Sequence, residues 1–171
     1  MIKSSVTISL VPEAKGGPFV YWDDLPNNCA KAAELGFDGV EIFPRSTESV
    51  DKNQFQDLLS KHNLQFAAMG TGAGMLVHNL SLTSKDINTR NKATEFIKSI
   101  IDFAGNLGAP AIIGSMQGRH GNGTSKEQAI EWLSSGLNEL GEYANQYKTP
   151  LLYEPLNRYE TNLFNTIGDT V

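Results

Sequence analysis

Five short apolar runs, separated by stripes of helical periodicity, constrain the fold of this chain more than any other feature. The runs are Val6 to Val11, Gly39 to Phe43, Gln65 to Thr71, Ala109 to Ser115 and Pro150 to Pro155. Each suits a strand buried on both faces, as in a parallel sheet. Between them apolar residues recur every three or four positions. Cys29, Ala32, Ala33 and Leu35 mark the first stripe, and Phe55, Leu58, Leu59 and His62 the second. Ile97, Ile100, Ile101, Ala104 and Leu107 form the third, with Gly108 and Pro110 as its stop. Ser125 and Gln128 stand at capping-box spacing before the fourth, which runs through Ala129, Ile130, Leu133, Leu137, Leu140 and Ala144.

Strict alternation with crossovers of about 30 residues requires parallel strands, and parallel strands require helices packed over them. The class is α/β. A doubly wound open sheet would be complete in five strands, whereas a (β/α)8 barrel needs three more units and about 250 residues. Gly70-Thr-Gly-Ala-Gly74 follows a strand, as a phosphate-cradling loop would. Its third glycine is misplaced and Met75 to Leu82 opens no clear helix, so it reads as a βα loop and not as a dinucleotide fingerprint.

Composition excludes several function classes. The chain has 171 residues, enough for one domain, with 40% hydrophobic and 19% charged positions. No apolar run approaches the roughly 18 residues of a membrane span, and the balance is not that of a disordered chain. The formal charge of -5, with scattered basic residues, leaves no footprint for nucleic acid. Glu13 and Lys15 interrupt the first apolar run, which reads as a strand and not a signal peptide, so a cytoplasmic location is expected. Cys29 is the sole cysteine, which excludes an internal disulfide and a cysteine-based zinc cage, and it reads as a buried, inert thiol.

Both architectures place active sites at the carboxyl ends of the strands. Glu154 follows the run Pro150-Leu-Leu-Tyr153 and precedes Pro155, so an apolar strand delivers a carboxylate to the rim. Such a carboxylate can bind a hard divalent cation or move a proton, with a pKa tuned by apolar walls. An ion pair with Arg158 or a lysine is the structural alternative. His62 reads as a helix-end residue, and His78 lies in the loop after the third strand. Gln117 and Ser115 end the fourth strand, and Arg119 and His120 follow in Gly118-Arg-His-Gly-Asn-Gly123, a flexible loop suited to a lid, a phosphate contact or a simple turn.

The stretch LYEPLNRYETNLF resembles the fifth-strand segment of the xylose-isomerase-like TIM-barrel superfamily, particularly its ketose 3-epimerases and hydroxypyruvate isomerases. Leu35-Gly-Phe-Asp-Gly-Val-Glu-Ile42 is similar to that superfamily's second strand. Leu82-Thr-Ser84 through Gly108-Ala-Pro110 to Gly114-Ser-Met-Gln-Gly118 is similar to its third helix and fourth strand. The resemblance covers residues 1–171 as one domain, in family order, and implies the first five βα units of a TIM (β/α)8 barrel.

It also implies chemistry. Glu154 occupies the position of a glutamate that is both a metal ligand and one of two acid/base carboxylates in those enzymes. Glu160 matches a glutamate that contacts substrate hydroxyls. Glu41 is expected inside the barrel in a hydrogen-bonded supporting role, and Asn157 and Arg158 beside the carboxylates; Gln117 and His120 join the substrate-binding candidates. The implied cofactor is a divalent ion, Mn2+ first, with Co2+, Mg2+ or Zn2+ as alternatives. The implied reaction is proton transfer beside a carbonyl of a small carbohydrate, free or phosphorylated, as isomerisation or epimerisation. Three further ligands, an Asp, a His and a Glu, are expected beyond Val171. The reading is therefore an N-terminal part of a barrel, whose first and fifth strand edges need the missing half or another chain, and a homo-oligomer is expected. The alternatives are an inosose dehydratase, an endonuclease-IV-like nuclease, disfavoured by the acidic balance, or a half-barrel that serves only as an assembly or binding unit.

Overall fold

The computed structural model describes residues 2–170. Its core is a parallel sheet. The strands are β1 (Ser5–Ser9), β2 (Tyr21–Trp22), β3 (Gly39–Phe43), β4 (Gln65–Gly70), β5 (Ala111–Ile113) and β6 (Leu152–Tyr153), in the spatial order β2-β1-β3-β4-β5-β6. The helices are α1 (Leu25–Glu34), α2 (Lys52–His62), α3 (Ala73–His78), α4 (Ile87–Gly105) and α5 (Lys126–Ala144).

The five strands read from sequence lie side by side in chain order, each parallel to the next. That is barrel winding, with every crossover returning to the neighbouring position. The sixth strand was not expected. β2 is a two-residue piece of the loop between β1 and α1, in register with Ile8 and Ser9. It lies on the outer side of β1 and partly covers an edge that the sequence reading left open.

Side-chain alternation separates the two faces of the sheet. Ile8 on β1 and Val40 and Ile42 on β3 are fully buried and join one cluster with Cys29, Ala32 and Phe55 from the helices. Thr7 and Glu41, paired in register, therefore face the opposite, inner side. The long helices α4 and α5 contribute Ile97, Ile100, Ala104, Leu133 and Leu140 to the same cluster. Side-chain caps start the helices. Asp24, Asp51, Asp86 and Ser125 each accept from main-chain N–H groups of the first turn.

Three local expectations need correction. Leu35 is 70% exposed, because it sits at the C-cap, off the face made by Cys29, Ala32 and Ala33. The segment after Gly70 does open a helix, the short α3, whose apolar residues settle against α4 and the turn Ser115–Gln117. No α-helix follows β6 within the described residues; the chain there makes turns and a 3-10 turn at Ile167–Asp169. Val171, where a fifth crossover helix is expected, lies outside them. Cys29 is buried as expected, and burial pushes its thiol up to about 11.

Candidate active site

Glu154 stands one residue past β6. Its N–H still donates to the carbonyl of Ile113 at 3.0 Å, so the parallel ladder fixes the backbone up to the carboxylate itself. The neighbouring strand ends in Gly114. A Cβ there would lie 3.1 Å from Glu154 Oε2, a tight approach, so the bare glycine leaves the carboxylate room against the end of β5. Leu156, nearly buried, forms the adjacent apolar wall.

A second support comes from below. Gln117 is fully buried, and its Nε2 donates to the carbonyls of Gly114 at 3.1 Å and Glu154 at 3.2 Å. Its Oε1 accepts from the Tyr153 hydroxyl. Burial pushes that phenol up to about 12, which keeps it a proton donor across the physiological range. Both polar atoms of the Gln117 side chain are thus engaged by protein, and they hold the β6 end.

The carboxylates influence one another. Glu41, on the inner face of β3, is raised to about 7, first by burial and then by the charge of Glu154, against a hydrogen bond from Thr7. Glu154 is raised by desolvation against its walls and by the charge of Glu160, although it is exposed to solvent at the rim. Glu160 lies in the turn after β6, where the Asn157 side-chain amide donates to its carboxylate. Glu154 thus lies within electrostatic reach of both Glu41 and Glu160. The structural alternative for Glu154 is not realised: Arg158 lies over the ring of Tyr159, 5.3 Å from its centroid, and no ion pair to Glu154 occurs among the described residues.

His120 is held by a different set of contacts. Its main-chain N–H donates to Asn162 Oδ1 at 2.9 Å and its carbonyl accepts from Asn162 Nδ2 at 3.1 Å, so one amide side chain grips both. Its imidazole lies within electrostatic reach of Glu127 on α5, whose carboxyl is held low mainly by its own backbone and Ser125. Thr161, fully buried, donates to the carbonyl of Gly118 at 2.8 Å, and Arg119 Nη1 donates to the carbonyl of Tyr159 at 3.2 Å. The loops after β5 and β6 are therefore laced together. Sequence reasoning missed Gly114, Tyr153, Thr161 and Asn162. Only Gly114, in the Ile113-Gly-Ser115 strand end, carried a visible signal: a glycine where a rim side chain is otherwise expected.

A divalent ion prefers several hard ligands converging on one point. The described residues contain no group of three His, Cys, Asp or Glu side chains able to hold a metal. Glu154 fits as one ligand, an oxygen donor open to solvent. Likewise, no helix among the described residues is long and apolar enough to cross a membrane.

Residues 29–171 match the family profile of the xylose isomerase-like TIM barrel. The chain is 28% identical over 141 residues to the L-ribulose 3-epimerase of Methylomonas sp. (strain DH-1), a match that takes in 80% of this chain and 47% of the relative. It is 26% identical over 149 residues to the fructoselysine 3-epimerase of Shigella flexneri, covering 82% of this chain and 52% of that one. The chain thus spans about half the length of the curated relatives it matches. A crystal structure of D-allulose 3-epimerase from Methylomonas sp. superposes with a TM-score of 0.75 at 23% identity, covering 98% of this chain and 57% of the other.

Proposed function

The chain belongs to the xylose isomerase-like TIM-barrel family, and from that premise we propose that it supplies the first five βα units of a sugar epimerase acting on a small ketose. The observation that carries this reading is Glu154, held by the β5–β6 ladder and by Gln117 at the carboxyl end of the sheet, with Glu41 and Glu160 as electrostatic neighbours. The curated relatives are 3-epimerases, which favours epimerisation over aldose–ketose isomerisation.

In this reading Glu154 is a catalytic carboxylate. Its raised pKa strengthens it as a base, and it removes the proton from the carbon beside the ketose carbonyl. Return of a proton to the opposite face inverts that carbon. The return requires a second carboxylate opposite Glu154, outside the described residues. Glu160, fixed by Asn157, accepts hydrogen bonds from substrate hydroxyls, and Glu41 shapes the charge beneath the site. A divalent ion, Mn2+ first, would polarise the carbonyl and its neighbouring hydroxyl, with Glu154 as the ligand from this chain. Gln117 acts at one remove, through the strand ends it holds, and His120 contacts substrate from the loop after β5, whose backbone Asn162 fixes.

The test is an assay of ketose interconversion, with and without Mn2+, on the chain joined to a barrel-completing half. Turnover that needs the metal and collapses in Glu154→Gln supports the proposal. Unimpaired turnover in that variant would sink it.

A further inference from the structure

An open cleft of about 260 Å3 lies between the segment that joins α3 to α4 and the loop that follows β5. It is lined by Lys85 and Arg119, the hydroxyls of Ser81, Thr83, Ser84 and Thr124, and two asparagine amides. No carboxylate lines it. Among the described residues neither Lys85 nor Arg119 takes part in an ion pair. The nearest acid in sequence, Asp86, is committed elsewhere: its carboxylate accepts from the N–H groups of Asn88 and Thr89 and from the Thr89 hydroxyl as the cap of α4.

The cleft wall is built and not merely exposed. Thr83, buried, accepts from the N–H of Arg119 at 3.0 Å and donates to its carbonyl at 3.2 Å. Ser81 Oγ lies 3.2 Å from Thr83 Oγ1. These hydroxyls fix the backbone from which the guanidinium extends. Arg119 uses one nitrogen on the carbonyl of Tyr159 and keeps further donors, since a guanidinium carries five N–H groups in a planar fork. Two cations and several hydroxyl donors around one acid-free cleft suit a small, doubly charged oxyanion.

We propose that this cleft binds the phosphate group of a phosphomonoester. Arg119 engages the phosphate through its free guanidinium edge, Lys85 supplies the second charge, and the hydroxyls of Ser84 and Thr124 donate to the remaining oxygens. The ester's carbon portion occupies the rest of the cleft. The inference stands independently of the epimerase reading, because its readout is binding.

The experiment titrates the full chain with inorganic phosphate while following backbone amides by NMR, at constant ionic strength with chloride as the balancing ion. A second titration uses fructose 6-phosphate, with fructose as control. The expected result is saturable movement of the amides of residues 118–124 and 84–85 with phosphate and with the ester, and none with fructose. Lys85→Ala and Arg119→Ala should each weaken binding about tenfold or more, with Arg119→Lys keeping part of it. Lys85 is exposed, so its variant tests the site even where an Arg119 change disturbs the loop. Movement that chloride reproduces, binding of phosphate without the ester, or equal affinity in Lys85→Ala would overturn the proposal.

Discussion

Gln117 donates its side-chain amide to the main-chain carbonyl of Glu154 at 3.2 Å, tying the turn after β5 to the residue that carries the candidate chemistry. The same amide reaches Gly114, and its oxygen takes the Tyr153 hydroxyl. A fully buried glutamine thus joins the ends of two adjacent strands whose ladder spans only two register pairs.

Removing that amide should be felt in stability before it is felt in chemistry. Gln117→Leu leaves the Tyr153 hydroxyl and the Glu154 carbonyl without the glutamine, while the Gly114 carbonyl keeps the main-chain N–H of residue 117, at a cost of about 1–3 kcal/mol. Equilibrium urea unfolding of the chain and the variant measures it. A difference below about 0.5 kcal/mol would show that water or a shifted loop replaces the glutamine.

Glu41 gives the chain a pH dependence of definite sign. Its carboxyl is raised from 4.5 to about 7, so the folded state holds a proton that the unfolded chain releases. The associated stability is fully present below pH 4.5 and is lost as pH rises toward 7. The size is on the order of 3 kcal/mol. Glu41→Gln should flatten this segment of the stability–pH curve and be more stable than the parent above pH 7. Denaturation midpoints across that range decide it; a parent curve that rises with pH there, unaltered by the substitution, contradicts the assignment.

Gly118 combines a φ of +78° with a crowded site, where a Cβ would lie 2.1 Å from both Ser81 Oγ and Thr83 Oγ1. Gly118→Ala should therefore destabilise the chain by more than about 1 kcal/mol and loosen the loop after β5. Thermal unfolding reads the first effect and hydrogen exchange at residues 119–124 the second. Wild-type values for both would mean that the loop rebuilds at no cost.

Metal binding follows from ligand number. With no group of three possible ligands among the described residues, calorimetric titration of the 171-residue chain with Mn2+ should show no saturation below about 1 mM, equivalent to roughly 4 kcal/mol of binding. Joined to a completing half, the chain should bind far more tightly, and Glu154→Gln should lower turnover about 10²-fold or more. Tight binding by the chain alone would reveal a site that the described residues do not form.

The α/β class was legible in the chain, because short apolar runs alternating strictly with helical stripes fit parallel strands packed under helices, and Gly39–Phe43 was located to the residue. The sequence also put Glu154 at a strand end, since Pro155 must stop the run. What it left undecided was whether the sheet winds as a barrel or an open sheet, for both obey the same local pattern. Only tertiary pairing, strand beside strand in chain order, distinguishes them. The β2 piece at Tyr21–Trp22 was invisible because two residues carry no periodicity and take their conformation from β1. The mutual effects of Glu41, Glu154 and Glu160 likewise depend on residues brought together across the sheet, with burial and charge acting through space. Gln117 reads in the chain as a substrate-binding candidate and Asn162 as an ordinary polar residue; their hydrogen bonds to distant main chain, made where water is excluded or scarce, give them their part in holding the site.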